Sequence, residues 1–446
     1  MRSRRSQCGD HVSSSTTDEY YDAGEVVPPD VLDAKRWALV EEVIRFARRE
    51  LPFYREHWSA AGMGLDIAEG EEGFRLLPMV RKRDLIRAMT DHGSANIGIE
   101  APNGASPSNI VLTSGTSGFH TFAVLTDDNL SGAGLLAQLR ELWAMRVRPG
   151  MRVLSLSPAW HALGLFESRA LTELGAVPVI PWGTLTPRFV GNMLDAIQSL
   201  RPEHLLLTAR AARMLLAECD RRGVDSRRAF ASVRYLGCAG EALSPVFRRH
   251  LGERFDLDDL FERGGSGDGM FGGSECHAHR GHHIAADVHY VEIVSDDGRP
   301  LPPGERGSAV VTNLGLGRSL YVRFDTEDVA AVVPGPCPCG RTHPVIEFYG
   351  RREDSVDVGS RLITPADARA VLDELEATRF RPFSLAAFGG EVRIAVAGIE
   401  TLTPAASAEA AHLIAGRLDA EVRLEPADLS RVSWKETRVS NPGVER

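Results

Sequence analysis

The sequence predicts an α/β protein: a large N-terminal body, a small β unit attached to it and a small α+β domain at the C-terminal end. Three observations carry that prediction. Short apolar runs at residues 152–156, 176–180 and 204–207 alternate with amphipathic helical patterns such as 189–200, the texture of buried strands covered by helices. Beyond about residue 285 the texture changes to strands and turns, HYVEIVSDDGRPLPPGERGSAVVTNL, with Asp297-Gly298 and Pro303-Gly304 as hairpin signals. After Gly350-Arg351-Arg352-Glu353-Asp354, helical patterns at 365–377 and 404–418 flank the strand-like VRIAVAG, enough for a separate domain of about 90 residues.

Taken in order, residues 1–28 are rich in Ser, Thr, Asp, Arg and Gly without a hydrophobic period, which predicts a tail without structure of its own. From Asp30 the apolar positions Leu32, Trp37, Val40, Val43, Ile44 and Ala47 fall on one face of a helix that Pro52 must stop. The expected organisation is a body over 29–350, its β unit at about 285–350, and a C-terminal domain over 351–446. There is no internal repeat.

The 446 residues, 43% of them hydrophobic, suffice for more than one core. A net charge of -10, with no basic block longer than Arg-Arg or Arg-Lys-Arg, speaks against a nucleic-acid partner. No apolar run approaches the roughly 18 residues of a membrane helix, and MRSRRSQCGDHVSSSTT lacks the apolar stretch of a signal peptide, so no membrane association and a cytoplasmic setting are expected. Six cysteines in a chain of this length do not make a disulfide framework, and the close pair in Cys337-Pro338-Cys339 points to metal instead.

The stretch VLTSGTSGFH places Thr113, Ser114, Gly115, Thr116, Ser117 and Gly118 directly after the strand-like residues 109–112. Backbone N–H groups and hydroxyls in such a loop converge on phosphate oxygens, although the same composition also describes a plain Ser/Gly turn. Further along stand LPFYREHW, LLPMVRKRDLI, YLGCAGEALS, SECHAHRGHHIAADVHYVEI, VRFDTEDVA, PCPCGRTHP and GRREDS. In this sequential order, over about residues 50–440, the set resembles the adenylate-forming superfamily, in its phenylacetate-CoA ligase-like branch.

That resemblance implies a body with mixed sheets and a mobile C-terminal lid, and an AMP-forming ligase that uses ATP and Mg²⁺. A carboxylic acid, aromatic by the branch, becomes an acyl-adenylate and is then transferred to CoA; an amine or a carrier-protein thiol as acceptor, and a non-catalytic nucleotide binder, remain alternatives. A homodimer is among the open assembly states. Thr113 to Gly118 match the loop for the β- and γ-phosphates, Ala239, Gly240 and Glu241 the stretch beside adenine, and Asp328 and Arg351 the ribose contacts. Glu353 falls at the interdomain hinge. Lys435, in LSRVSWKETRV, matches the catalytic lysine, a cation suited to charge that builds on phosphorus. Trp160, His161 and Phe166 match the acyl-pocket region, where plain core packing would explain Trp160 and Phe166 equally well.

The chain departs from the family pattern twice. Phe119-His120-Thr121 stand where the loop usually has a lysine, and Arg263 replaces the adenine-stacking tyrosine in FERGGSGD, with Ser266 nearby and the magnesium carboxylate shifted to Asp268. Arg263 is expected to stack on adenine through its guanidinium plane. Cys276, His283, Cys337 and Cys339 supply three sulfurs and one imidazole, and the branch implies a closed structural zinc site. His277, His279 and His282 are close enough to compete; register against the family favours His283.

Overall fold

The computed structural model describes residues 18–63, 70–92, 109–112, 122–125, 132–157, 162–181, 183, 185–266, 271–315 and 320–427. The folded body opens with helix α1 (Pro29–Glu50), whose Leu32, Val40, Val43 and Ala47 are buried. It stops where expected: Pro52 has no N–H and forces Leu51 into an extended conformation, and helix α2 (Pro52–Ala60) starts anew. Helices α3 (Gly70–Leu76) and α4 (Lys82–His92) and the hairpin of β1 (Asn109–Leu112) and β2 (Phe122–Leu125) follow.

A parallel set comes next. Its strands are β3 (Arg152–Ser155), β4 (Val177–Val179), β5 (His204–Thr208), β6 (Tyr235–Ala239) and β7 (Asp259–Ser266), in spatial order 4-3-5-6-7. Five helices connect and cover them: α5 (Ala133–Ala144), α6 (Ala162–Glu173), α7 (Pro187–Leu200), α8 (Ala209–Arg222) and α10 (Pro245–Phe255), with the short α9 (Ser226–Ala229) between the last two. Leu139, Leu142, Leu171, Leu206 and Phe261 form a core with α5 and α6, whereas Leu194, Leu215, Leu236, Phe247 and Leu260 form another with α7, α8 and α10. Successive residues Leu260 and Phe261 therefore point to opposite faces, as period-two geometry requires.

The strands read beyond residue 285 do not form a separate sheet: they belong to the same one, whose pairing sense has already changed between β7 and β8. From β7 the sheet continues antiparallel through β8 (Phe271–Ser274), β9 (His282–His283), β13 (Val345–Arg351), β12 (Phe324–Val332), β11 (Gly307–Asn313) and β10 (His289–Val294), eleven strands in all among the described residues. Strand β13 returns from the far side to pair with β9, which joins the two halves. Helices α1 and α2 cover this half through Val40, Tyr54 and Trp58, packed with Phe74, Ile293 and Phe324.

The C-terminal part has its own core of Val356, Ile363, Leu372, Phe383, Ile394 and Ile414. It contains the hairpin β14 (Val356–Val358) and β15 (Arg361–Ile363), the sheet β16 (Phe383–Phe388), β17 (Glu391–Val396) and β18 (Val422–Pro426), and helices α11 (Pro365–Leu372) and α12 (Pro404–Leu418). Thr364 and Asp367 form a reciprocal capping box at the start of α11. The helix ends before the predicted residue 377 because the buried Asp373 carboxylate accepts from Phe380 N at 2.9 Å and draws the chain back on itself.

Residues 18–28 correct the expectation of a structureless tail over 1–28. Asp22 caps a 3₁₀ turn at Ala23–Val26 by accepting from Gly24 N, and its carboxylate also receives Arg140, which pairs with Asp287 at 2.6 Å. Glu25 is only 2% exposed and accepts from Arg341 Nε at 2.6 Å, while Thr342 N donates to Glu25 O at 2.9 Å. These anchors are polar and join residues far apart in sequence, 118 positions for Asp22 and Arg140 and 316 for Glu25 and Arg341, so no local hydrophobic period reveals them. Arg341→Met strands the buried Glu25 carboxylate and is expected to destabilise the body by about 3–5 kcal/mol, read as a lower urea midpoint. An unchanged midpoint would mean that the segment does not dock in solution.

Candidate functional site

Strands β3, β5 and β6 end on one edge of the parallel sheet, the edge outside which open α/β folds bind ligands. There Ala239 closes β6, and Gly240, at φ +99°, turns the chain toward Glu241 in a conformation that favours glycine. Leu243 N donates to Glu262 Oε1 at 2.7 Å, which ties the loop to β7. Ser244 then caps α10 by accepting from Phe247 N at 3.0 Å. The segment expected beside adenine is thus a short, pinned loop between a buried strand and a capped helix.

The side chain of Glu241 is engaged from two sides. Arg213 of α8 pairs with Oε1, with its guanidinium 4.1 Å from the Phe247 ring centroid, and Arg369 of α11 lies 3.5 Å from Oε2. Arg369 also reaches Asp373 Oδ1 at 3.3 Å and donates to Arg381 O at 2.9 Å. Asp373 Oδ2 accepts from Ser244 Oγ at 2.7 Å, and Phe380 packs against Phe247 and His250. A buried polar latch with an apolar flank therefore seats the C-terminal part on the loop of Ala239–Gly240–Glu241. Ser244 and Asp373 stand 129 residues apart, so no motif in the sequence pointed to the pair.

Asp328 and Arg351 come together as cross-strand partners of β12 and β13. Arg351 Nε lies 3.0 Å from Asp328 Oδ1, and Arg351 Nη1 donates to Thr326 O at 3.0 Å. Asp328 is 8% exposed, so the guanidinium holds this carboxylate in one orientation. Glu353 is exposed in the single 3₁₀ turn Arg352–Asp354, which links β13 to β14 and so joins the large sheet to the C-terminal part.

Arg263 departs from its expected role. Its side chain is 4% exposed, its Nε pairs with Glu141 Oε1 at 2.5 Å, and its Nη1 pairs with Glu167 Oε2. In contrast to the expected stacking on adenine, the guanidinium is enclosed in the protein with two of its N–H edges paired to carboxylates. The cause is strand parity: with Phe261 it points to the α5 and α6 face, where two carboxylates meet it. Ser266 ends β7 and is 3% exposed, and Phe166 is half-buried on α6. Thr113, Ser114, Gly115, Thr116, Ser117, Gly118, Trp160, His161, Asp268 and Lys435 lie outside the described residues.

The sulfur and imidazole donors do converge. Cys276 follows β8, His283 lies on β9, and Cys337 and Cys339 occupy the turn between β12 and β13; all four donor atoms lie within 4.8 Å of one another. Cys276 Sγ to Cys337 Sγ is 3.6 Å, and Cys339 Sγ to His283 Nε2 is 3.4 Å. Thiolates bound to a tetrahedral ion at about 2.3 Å stand about 3.8 Å apart, so the donor set fits zinc. Ala278 N and Arg341 N donate to Cys276 Sγ and Cys339 Sγ at 3.4 Å each, as peptide groups do in metal knuckles. His283 Nδ1 faces His343 O at 3.3 Å, which turns Nε2 to the sulfurs. The rival imidazoles look elsewhere: His282 to Ile346 O, His277 to Glu19, and His279 to Asp259 and Glu275. Held by those two carboxylates, His279 has its pKa raised to about 9.

Comparison with known proteins agrees with this layout. The family model described as AMP-binding enzyme matches residues 68–321, more than half of the chain. The phenylacetate-coenzyme A ligase of Thermus thermophilus is 29% identical over 359 residues, covering 78% of this chain and 76% of that protein. That of Escherichia coli is 25% identical over 374 residues, covering 81% and 80%. Among solved structures, a 2-hydroxyisobutyryl-CoA ligase in the postadenylation state, in complex with 2-HIB-AMP, superposes with a TM-score of 0.83 at 20% identity and covers 97% of this chain and 94% of that one. ATP-bound MatB from Rhodopseudomonas palustris superposes with a TM-score of 0.59 at 18% identity, over 76% and 67%. At such identities the structural likenesses show the fold.

The latch yields a prediction. Replacing Arg369 by Met together with Ser244→Ala removes the polar contacts at the loop and is expected to speed limited proteolysis within residues 352–360 several-fold, on the order of the loss of 1–3 kcal/mol of docking. Cleavage at the original rate would assign the docking to Phe380 against Phe247 and His250.

Proposed function

Because the chain belongs to the AMP-binding enzyme family, we propose that it is an AMP-forming acid–CoA ligase acting on a carboxylic acid, aromatic in our reading. In the first half-reaction a carboxylate oxygen of the acid attacks the α-phosphorus of ATP, the bond to the bridging oxygen breaks, and pyrophosphate leaves. In the second, the thiol sulfur of CoA attacks the acyl carbonyl, AMP leaves and the thiol proton is released. A carboxylate is a poor electrophile, and its mixed anhydride with AMP is a good one, so the enzyme's task is to position the reactants and stabilise charge.

The observation that carries the reading is the Asp328–Arg351 pair. The resemblance assigns both residues to the ribose, and they stand side by side on β12 and β13 with 3.0 Å between Nε and Oδ1. A carboxylate oriented by a guanidinium suits acceptance from two ribose hydroxyls. We further assign the loop Thr113 to Gly118 to the phosphates, Ala239 and Gly240 to the adenine edge, Asp268 to Mg²⁺, Glu353 to the hinge, Phe166 with Trp160 and His161 to the acyl pocket, and Lys435 to the α-phosphate and the substrate carboxylate.

Cys276, His283, Cys337 and Cys339 would hold one Zn²⁺. With four protein donors no position is left for a substrate, so the ion supplies cross-linking of the sheet's antiparallel half and no chemistry. A cytoplasmic setting accords with three closely spaced thiols kept for a metal.

Pyrophosphate release with ATP, Mg²⁺ and a panel of aryl and small alkyl acids tests the first half-reaction. Release should depend on the acid, and Lys435→Ala should lower its rate by about 10²–10³-fold while Asp328→Asn chiefly raises the KM for ATP. No release with any acid would favour a non-catalytic nucleotide binder. Adding CoA should then produce the thioester; adenylate that accumulates with CoA present would shift the acceptor to an amine or a carrier-protein thiol. The purified protein should carry one zinc per chain by elemental analysis, and Cys337→Ser combined with Cys339→Ser should abolish it and lower the melting temperature.

A further inference from the structure

A buried charged network joins β3, α5, α6 and β7, one residue along the chain from Phe166, and none of the assignments above uses it. Arg263 of β7 pairs with Glu141 of α5 and with Glu167 of α6, and its Nη2 lies 3.5 Å from Gln138 Oε1. Glu167 is fully buried and accepts at one oxygen from Ser155 Oγ and at the other from Ser157 Oγ at 3.3 Å. Ser157 N in turn donates to Ser155 Oγ at 3.1 Å. Gln138 Nε2 donates to Glu141 Oε2 at 2.6 Å, and Ser274 Oγ of β8 donates to Glu141 O at 3.1 Å.

The wiring has a direction. Ser155 ends β3, Ser157 stands two residues beyond it, and Glu167 belongs to α6, so the network ties the strand's end to that helix. Arg263 is the only cation in it among the described residues, and it stands next to Ala239 in the β6–β7 register, at the edge assigned to the nucleotide. Removing it would leave Glu141 and Glu167 buried with their charges uncompensated, and α6 would lose its tie to the sheet.

We propose that Arg263 is a positioning residue for the acid: through Glu167, Ser155 and Ser157 it fixes the end of β3 and the helix α6 that carries Phe166, and thereby determines which acids bind productively. This rests on the reading of the protein as an acid–CoA ligase. It separates the position from base recognition, the part its place in the motif had suggested. The network accordingly sets the KM for the acid and leaves the KM for ATP to Asp328 and the loop at Gly240.

The test compares Arg263→Met, Arg263→Lys and the milder Ser157→Ala with the unmodified enzyme. The expected result is an acid KM raised about ten- to a hundredfold in Arg263→Met and less in the other two, with the KM for ATP within about twofold of the original. A raised KM for ATP with an unchanged acid KM would return Arg263 to the base and overturn the proposal. Amide hydrogen exchange supplies a second reading that needs no activity and serves if Arg263→Met fails to fold. Exchange over 156–166 should quicken in Ser157→Ala and Arg263→Lys, while 239–244 should stay unchanged. Equal exchange over 156–166 in all forms would overturn the proposal by itself, whereas an unmodified enzyme that releases no pyrophosphate with any acid would defeat the ligase reading and leave the exchange result to judge the network.

Discussion

The close approach of three backbones where β7, β8 and β9 meet is the constraint on which the rest of the structure depends. Gly265 has φ +147°, and a Cβ there would lie 2.4 Å from Phe271 O; one on Gly273 would lie 2.1 Å from His283 O. Only glycine lets the strands close at these points, and here the sheet changes from parallel to antiparallel pairing. Arg263 precedes the junction, Cys276 follows it, and His283 lies on the third strand. Strand β13 pairs with β9 and carries Arg351 to Asp328 on β12, so the Arg263 network, the Cys/His cluster and the Asp328–Arg351 pair all hang from the same hydrogen-bonded seam.

Around that seam the molecule relies on arginines held by carboxylates in places closed to water. Arg323 pairs with Glu292 and also donates to Leu77 O, which ties α3's end to the antiparallel half. Arg140 joins Asp22 to Asp287, and Arg248 sits between Glu262 and Glu275, linking the loop at Leu243 to the residues that lead to Cys276. Such pairs add modest net stability, because desolvation offsets much of their attraction, but breaking one leaves an uncompensated charge. They act as registers that allow one docking geometry. The planar fork of arginine suits this use better than lysine, since it meets two carboxylates or a carboxylate and a carbonyl at once.

Local elements were legible wherever a local rule governed them. The first helix, its stop at Pro52, the strands around 152–156 and 204–207, and the helix over 404–418 follow from periodicity and from proline's missing donor, and the observed bounds fall within a few residues of those readings. The Cys337–Cys339 pair pointed to metal from its spacing, register against the family singled out His283, and the structure brings both together with Cys276. The course of residues 18–28, the seating of Arg369 and Asp373 on the loop at Glu241 and the burial of Arg263 were not. Each depends on partners far apart in sequence, such as the 122 residues between Arg263 and Glu141, and on which face of a strand a side chain takes.

By itself the sequence determined the alternation of strands and helices and the sulfur and imidazole donor types, because these rest on residue chemistry and short-range spacing, whereas the phosphate-loop and ribose matches came from the family resemblance. The tertiary structure alone decided that the β unit is continuous with the body, that residues 18–28 are anchored by Arg341 and Arg140, and that Arg263 serves two glutamates. The physical reason is that charge pairing and sheet registration act through space. A guanidinium's partner is whichever carboxylate the fold brings within about 3 Å, and no local pattern encodes that distance.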